Sequence, residues 1–147
     1  MKRGTPLEWF AEKIDMHGPT PVDRPDLGAC WVWCAAEDGH GYGVFWSKGR
    51  AVKAYCFSYE MFVGPVPDEL VLDHLCRNPA CVRPDHLEPV TQRINLLRGK
   101  GFAAVNARKS RCPRGHLYSH VASTGWRRCR QCDNELRKRR REASQLQ

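Results

Sequence analysis

The sequence predicts an α+β protein in two parts: a small antiparallel sheet with short helices, then a smaller module with almost no core of its own. Three observations predict it. Segments rich in aromatic and β-branched residues alternate with segments whose apolar residues recur at helical spacing, and Gly/Pro turns separate them. The length of 147 residues suits one or two small domains with modest cores. Eight cysteines fall in two groups, on either side of a change in charge near residue 96.

The elements follow in order. "TPLEWFAEKIDM" predicts a short helix: Thr5 caps it, Pro6 suits its first turn, and Glu8 stands three residues after the cap. "HGPTPVDRPDLG" holds three prolines and two glycines, so it reads as a loop. "CWVWCAA" and "GYGVFWSKGRAVKAYCF" predict three antiparallel strands near 29–34, 41–46 and 50–55, with "SKG" as the turn between the last two. "YCFSYEMFVG" is helical up to Gly64-Pro65. "ELVLDHL" predicts a strand, "LEPVT" an irregular or edge partner limited by Pro89, and "TQRINLLRG" a helix capped by Thr91. Residues 100–110 read as a connector, and "ELRKRRREASQ" as a basic helix or tail. The expected organisation is residues 1–24 as N-terminal helix and linker, 25–100 as the main domain, 101–110 as connector, and 111–147 as a second module with a basic tail.

Composition narrows the function. Residues 1–95 carry 10 Lys/Arg against 13 Asp/Glu, a net −3, whereas residues 96–147 carry 14 against 3, a net +11. A polyanion partner, most often nucleic acid, is expected for the basic part. No apolar run approaches the roughly 20 residues that span a bilayer. The first sixteen residues lack the apolar stretch of a signal peptide, so a cytoplasmic address and reduced cysteines are expected.

The chemistry concentrates in "LDHLCRNPACVRPDHLEPVTQRIN", residues 72–95. Cys76, Cys81 and His86 follow one another at intervals of five. A structural zinc site needs four ligands in a tetrahedron, and one loop supplies three of them. Cys30 is the first choice for the fourth, with Cys34 second and Cys56 third. A loop interrupted by Pro79 and Pro84 has little regular structure, and a metal clip would hold it. Asp73 and Asn95 offer hard oxygen donors, which suit Mg²⁺ better than zinc. His74 would then remain a free imidazole beside that ion, able to take a proton from water near neutral pH.

This pattern of His, Cys, Cys, His and Asn resembles the HNH endonucleases, the ββα-metal fold, and in particular the zinc-containing phage HNH proteins and His-Cys box homing endonucleases. The likeness extends upstream through "CWVW", "GYG" and "VGPVPDELVLDHLC" to cover residues 7–99. It implies that His74 is the general base, that Asp73 and Asn95 hold a catalytic Mg²⁺ or Mn²⁺, and that Cys76, Cys81 and His86 sit on a structural zinc. It also implies a DNA substrate, hydrolysis to a 5′-phosphate and a 3′-hydroxyl, and expression in a host cytoplasm if phage-encoded. Relatives carry a His-Arg pair where this chain has Tyr55-Cys56. Arg50 or Arg98 could substitute for the missing arginine, and Cys56 reads as a core cysteine.

"CPRGHLYSHVASTGWRRCRQC" supplies a second set: Cys112, His116, Cys129 and Cys132, two close pairs separated by a hairpin-sized loop, as in a zinc ribbon or finger. His120 competes with His116, which is preferred because Gly115 permits the tight turn of a close ligand pair. So small a unit needs its metal to fold. Trp126 either stacks on a base or packs the finger. The expected DNA contacts are Lys48, Arg50 and Lys53 on the hairpin, Arg93 and Arg98 on the helix, and Arg127, Arg128 and Arg130 in the finger. The competing reading is a non-catalytic, zinc-dependent DNA-binding protein, possible as monomer or homodimer like the enzyme. It requires neither Asp73-His74 nor Asn95. A zinc deaminase would pair an H-x-E motif with P-C-x-x-C; His86-Leu87-Glu88 has the first pattern, but no P-C-x-x-C is present.

Overall fold

The structure, a computed structural model, describes residues 4–121 and 126–145. It is a mixed α+β chain of small two-stranded antiparallel sheets and short helices. It divides into two compact units, Met1–Arg98 and Gly99–Gln147. Among the described residues no helix is long and apolar enough to cross a membrane.

The first unit begins with helix α1 (Pro6–Ala11), closed by the expected capping box. The Glu8 amide donates to Thr5 Oγ1 at 3.3 Å, and the Thr5 amide donates to the Glu8 carboxylate at 2.7 Å. This helix is no separate N-terminal segment. Phe10 is fully buried and its ring lies 5.1 Å from Trp33, 5.2 Å from Phe45 and 4.8 Å from Phe57, which makes it the centre of the aromatic core.

Three strands were expected to pair together near residues 29–55, and they do not. Strand β2 (Val32–Trp33) pairs with β1 (Ile14–Asp15), a two-residue strand too short to announce itself in the sequence. Its other edge takes the loop ahead of His86: the Trp33 amide donates to Ala80 O at 2.9 Å, and the Val82 amide donates to Trp31 O at 2.8 Å. Strands β3 (Val44–Ser47) and β4 (Arg50–Lys53) form their own hairpin. Its turn residues Lys48 and Gly49 are both left-handed, at φ 49° and 75°, matching the primed turns that suit strand twist. Gly43 is required just before the hairpin, because a Cβ there would stand 2.5 Å from the Trp33 ring.

Helix α2 (Ala54–Phe62) follows β4 directly and buries Ala54, Phe57 and Ser58. Ser58 Oγ donates to Val82 O at 2.5 Å, tying the helix to the same loop. Then come β5 (Leu70–His74), β6 (Leu87–Thr91) and α3 (Gln92–Arg98). The strands are paired so that His74 faces Leu87, Asp73 faces Glu88, and Leu72 faces Pro89. A two-stranded sheet is all edge, so Pro89 is tolerated. The Ile94 amide donates to Thr91 Oγ1 at 3.3 Å, the expected cap of α3.

In the second unit the expected connector is largely helical: α4 (Phe102–Arg108) runs through "FAAVNAR", in which Ala103, Ala104, Ala107 and Arg108 are strong helix formers. Strands β7 (His120–Val121) and β8 (Arg127–Arg128) pair, and α5 (Arg130–Gln145) carries the basic tail. The tip of the finger's hairpin, residues 122–125, lies outside the described residues. Ala104, Cys112 and Cys129 are the buried apolar residues of this unit among those described.

Candidate functional site

The bridge between Val32 and Cys81 decides which upstream cysteine joins the loop. It carries Cys30 up to Cys76, Cys81 and His86, and all four side chains are buried with their ligand atoms within 4.8 Å of one another. His86 Nδ1 lies 3.7 Å from Cys30 Sγ and 3.5 Å from Cys81 Sγ. Zn–S bonds of about 2.3 Å and Zn–N bonds of about 2.0–2.1 Å in a tetrahedron put sulfur and nitrogen about 3.6 Å apart. The donor set therefore has the size of a closed zinc shell. His86 Nε2 lies 3.0 Å from Leu27 O. A carbonyl only accepts, so Nε2 carries the proton and Nδ1 points its lone pair at the sulfurs. The hydrogen bond from Cys81 holds the Cys76 thiol down to about 5, and the same contact, with burial, pushes Cys81 up. Cys34 is exposed, and Cys56 is half-buried beside Lys53 and Glu60 rather than in the core; neither joins the cluster.

Asp73 and His74 close the same strand, one residue short of the loop. His74 is 8% exposed, and its Nε2 lies 3.0 Å from Cys81 O. By the same logic Nε2 is protonated and Nδ1 is the basic nitrogen, and Nδ1 makes no hydrogen bond to the described residues. The rings of Tyr55 and Tyr42 flank the imidazole at 4.8 and 5.8 Å. Burial pushes His74 below its ordinary value, which keeps it neutral near pH 7. Burial likewise raises Tyr55, so a neutral phenol fills the place where the HNH resemblance expects histidine.

Asp73 is 2% exposed and both its oxygens are engaged: Arg77 Nη1 lies 2.6 Å from Oδ1, and Arg98 Nη1 lies 3.3 Å from Oδ2. Arg98 also bonds Glu88. Asn95, half-exposed on α3, makes no side-chain hydrogen bond among the described residues, and α3 packs against β5. Sequence reasoning did not assign Arg77. Its offset of four from Asp73 was visible, but not its left-handed φ of 57° or its bond to the Asp73 carboxylate.

The second cluster gathers Cys112, His116, Cys129 and Cys132. Cys112 and Cys132 sulfurs are 3.8 Å apart, and His116 Nδ1 is 3.3 Å from Cys132 Sγ. Gly115 has φ 85° and its amide donates to Cys112 O at 2.9 Å, the tight turn expected of it. His120 sits in β7, outside the cluster. Both clusters are compatible with structural zinc.

The expected DNA contacts divide into free and engaged groups. Lys48, Arg50, Arg93 and Arg130 side chains are exposed. Lys53 is bonded to Asp38, which it holds down to about 2, and lies over the Tyr42 ring. Arg127 bonds the carbonyls of Ala107 and Lys109 and stacks 4.8 Å above Tyr118, so it holds the unit together. Arg128 faces Asp133 at 3.9 Å, and Arg98 is on Asp73. Trp126 is 76% exposed, which rules out the packing role.

Residues 58–97 match the HNH endonuclease family. That stretch contains Asp73, His74 and Asn95 and three of the four ligands of the first cluster; Cys30 and the second unit lie beyond it. The chain is 36% identical over 66 residues to Protein 7.7 of Escherichia phage T7, an overlap of 45% of this chain and 51% of the relative. It is 32% identical over 66 residues to Protein 2.8 of the same phage, 45% of each. It is 29% identical over 66 residues to an uncharacterized gene 5.3 protein of Enterobacteria phage T3, 42% of this chain and 65% of that one. The chain spans about half the length of the two T7 relatives. No solved structure matches it.

Proposed function

We propose that this chain, whose residues 58–97 match the HNH endonucleases, is a metal-dependent DNA endonuclease with His74 as its general base. The observation that carries the reading is the orientation of His74: its Nε2–H is anchored on Cys81 O at 3.0 Å, and its basic Nδ1 is left without a partner among the described residues. The base thus depends on the loop that the first Cys/His cluster clips. Cys30, Cys76, Cys81 and His86 would hold a structural zinc that does no chemistry, because four protein ligands leave no open position. Cys112, His116, Cys129 and Cys132 would hold the second.

Asp73 and Asn95 offer a carboxylate and a carboxamide oxygen, the hard donors that fit Mg²⁺ or Mn²⁺. Asp73 and Asn95 would hold such an ion, which would supply positive charge to the scissile phosphate. His74 Nδ1 takes a proton from the attacking water as its oxygen bonds to phosphorus and the P–O3′ bond breaks. The resulting imidazolium keeps its Nε2–H on Cys81 O, so the ring does not turn during transfer. The leaving 3′-oxygen takes a proton from solvent water, so the products are a 5′-phosphate and a 3′-hydroxyl. The exposed Lys48 and Arg50 on the hairpin, Arg93 on α3, and Arg130 with Trp126 in the second unit supply phosphate contact and stacking. A phage origin, as for the T7 and T3 relatives, and action in a host cytoplasm as a homing or DNA-processing nuclease accord with this reading.

The test is cutting or nicking of supercoiled plasmid by the zinc-loaded chain in Mg²⁺ or Mn²⁺, with His74→Ala beside it. Cutting by the wild type that the variant loses by about 10²-fold or more supports the enzyme. Binding of plasmid with no cutting in either ion would support a non-catalytic DNA-binding protein instead.

A further inference from the structure

Asp73 presents a contradiction that the proposed reaction does not resolve. Its carboxylate is almost fully buried and is already neutralised by two guanidiniums, Arg77 on Oδ1 and Arg98 on Oδ2. A divalent cation can use those oxygens only by displacing at least one of them. Charge-assisted arginine–carboxylate bonds are among the stronger polar contacts, so displacement carries a cost that the ion must offset.

The surroundings give the displaced groups somewhere to go. Arg77 and Arg98, with Arg24, line an open cleft of about 600 Å³ whose wall also includes Leu75 and Glu88. Both arginine side chains are more than a third exposed. Arg77 holds its place through a left-handed backbone, a conformation that is uncommon without glycine. Arg98 has a second carboxylate, Glu88, on which it can stay anchored while leaving Asp73. No arginine is present at position 56, where the chain has cysteine. The guanidinium fork is the side-chain geometry best suited to two phosphate oxygens.

Resting on the nuclease reading of this site, we propose that Arg77 and Arg98 form a charge latch: they hold Asp73 until a divalent cation takes its carboxylate, and the released guanidiniums then bind the DNA phosphate being cut. A cation at Asp73 repels the two arginines and opens the cleft to an anion. Without the cation, the arginines remain on Asp73 and phosphate finds less positive charge there. Arg77 and Arg98 thereby couple occupancy by the cation to binding of the phosphate in the same cleft.

The experiment begins with the zinc-loaded wild-type chain and no DNA. Arginine side-chain N–H signals in ¹⁵N NMR are followed during a Mg²⁺ titration. The latch requires the Arg77 signals to shift with the same Mg²⁺ dependence as the Asp73 backbone amide; unchanged Arg77 signals at saturation overturn it. Mn²⁺ affinity of Arg77→Gln and Arg98→Gln follows, again without DNA, with zinc content as the check on folding. At least one variant should bind Mn²⁺ about tenfold more tightly than wild type, because a competitor for Asp73 is gone. Equal or weaker binding by folded variants overturns the latch, since a purely structural arginine gives that result. At saturating Mn²⁺ the same variants should cut plasmid at least about tenfold more slowly. A wild type that binds Mn²⁺ but never cuts defeats the nuclease reading, while the Mg²⁺ and Mn²⁺ measurements still judge the latch.

Discussion

The two Cys/His clusters are alike in compactness, each with its ligand atoms within 4.8 Å of one another, and opposite in surroundings. The first is buried against a unit that has an aromatic core of its own, built on Phe10, Trp33, Phe45 and Phe57. The second lies in a unit whose buried apolar residues, among those described, are Ala104 and two of the ligands themselves. The first cluster therefore positions a loop within a fold that has other support, and the second is the support. A metal site's role is set by how much apolar burial stands beside it, and ligand spacing alone does not reveal that.

The largest expected effect breaks the comparison directly. Cys112→Ser should remove one zinc and leave the second unit unfolded, with backbone amides of α5 and β8 exchanging freely while those of β3 and β5 stay protected. Zinc binding in small modules is worth on the order of 10–16 kcal/mol, which no other contact in this unit can replace. In the mirror experiment, Cys81→Ser should free residues 75–86 but leave the β3–β4 hairpin and α2 protected. Equal loss of protection in both units would show that the aromatic core does not stand without its metal.

Next in size is the core. Phe10→Ala should destabilise the first unit by about 3–5 kcal/mol, read as a lower denaturation midpoint, because the ring touches three other aromatics and its loss leaves a cavity. The finger's zinc content should not change. Trp126→Ala should weaken binding to single-stranded DNA by about 1–3 kcal/mol without altering zinc content or unfolding, since the ring is exposed and supports no core.

The smallest effect concerns pH. In the proposed reaction His74 is a neutral base, and burial lowers the pH at which it takes up a proton. Cutting should therefore fall as pH drops through a midpoint below the ordinary histidine value of about 6.5. Tyr55→Leu, which uncovers the ring, should move that midpoint upward. An acid limb centred above the ordinary value in the wild type would mean that burial is not what tunes this group.

Much of this was legible in the sequence. The capping box of α1, the β5–β6–α3 order, three members of the first cluster and all four of the second follow from residue type and spacing. What escaped depends on contacts between distant segments. The pairing of β1 with β2 rests on two residues, too few for a periodic signal. The place of Cys30 in the first cluster depends on a bridge between Val32 and Cys81, so sequence alone left Cys34 and Cys56 in contention. Charge alone did not show which cations are already engaged: Lys53, Arg98 and Arg127 read as DNA contacts, and each is held by a carboxylate or a carbonyl of its own unit. Arg77, unremarkable in "HLCRNPAC", holds the Asp73 carboxylate at the end of β5.

The central claim is that His74 and His86, twelve residues apart and alike in the sequence, have opposite jobs. Zinc content per chain tests it most directly. His74→Ala should retain two zinc ions and lose plasmid cutting, whereas His86→Ala should retain one. Loss of a zinc from His74→Ala, or two zinc ions still bound in His86→Ala, would contradict the account.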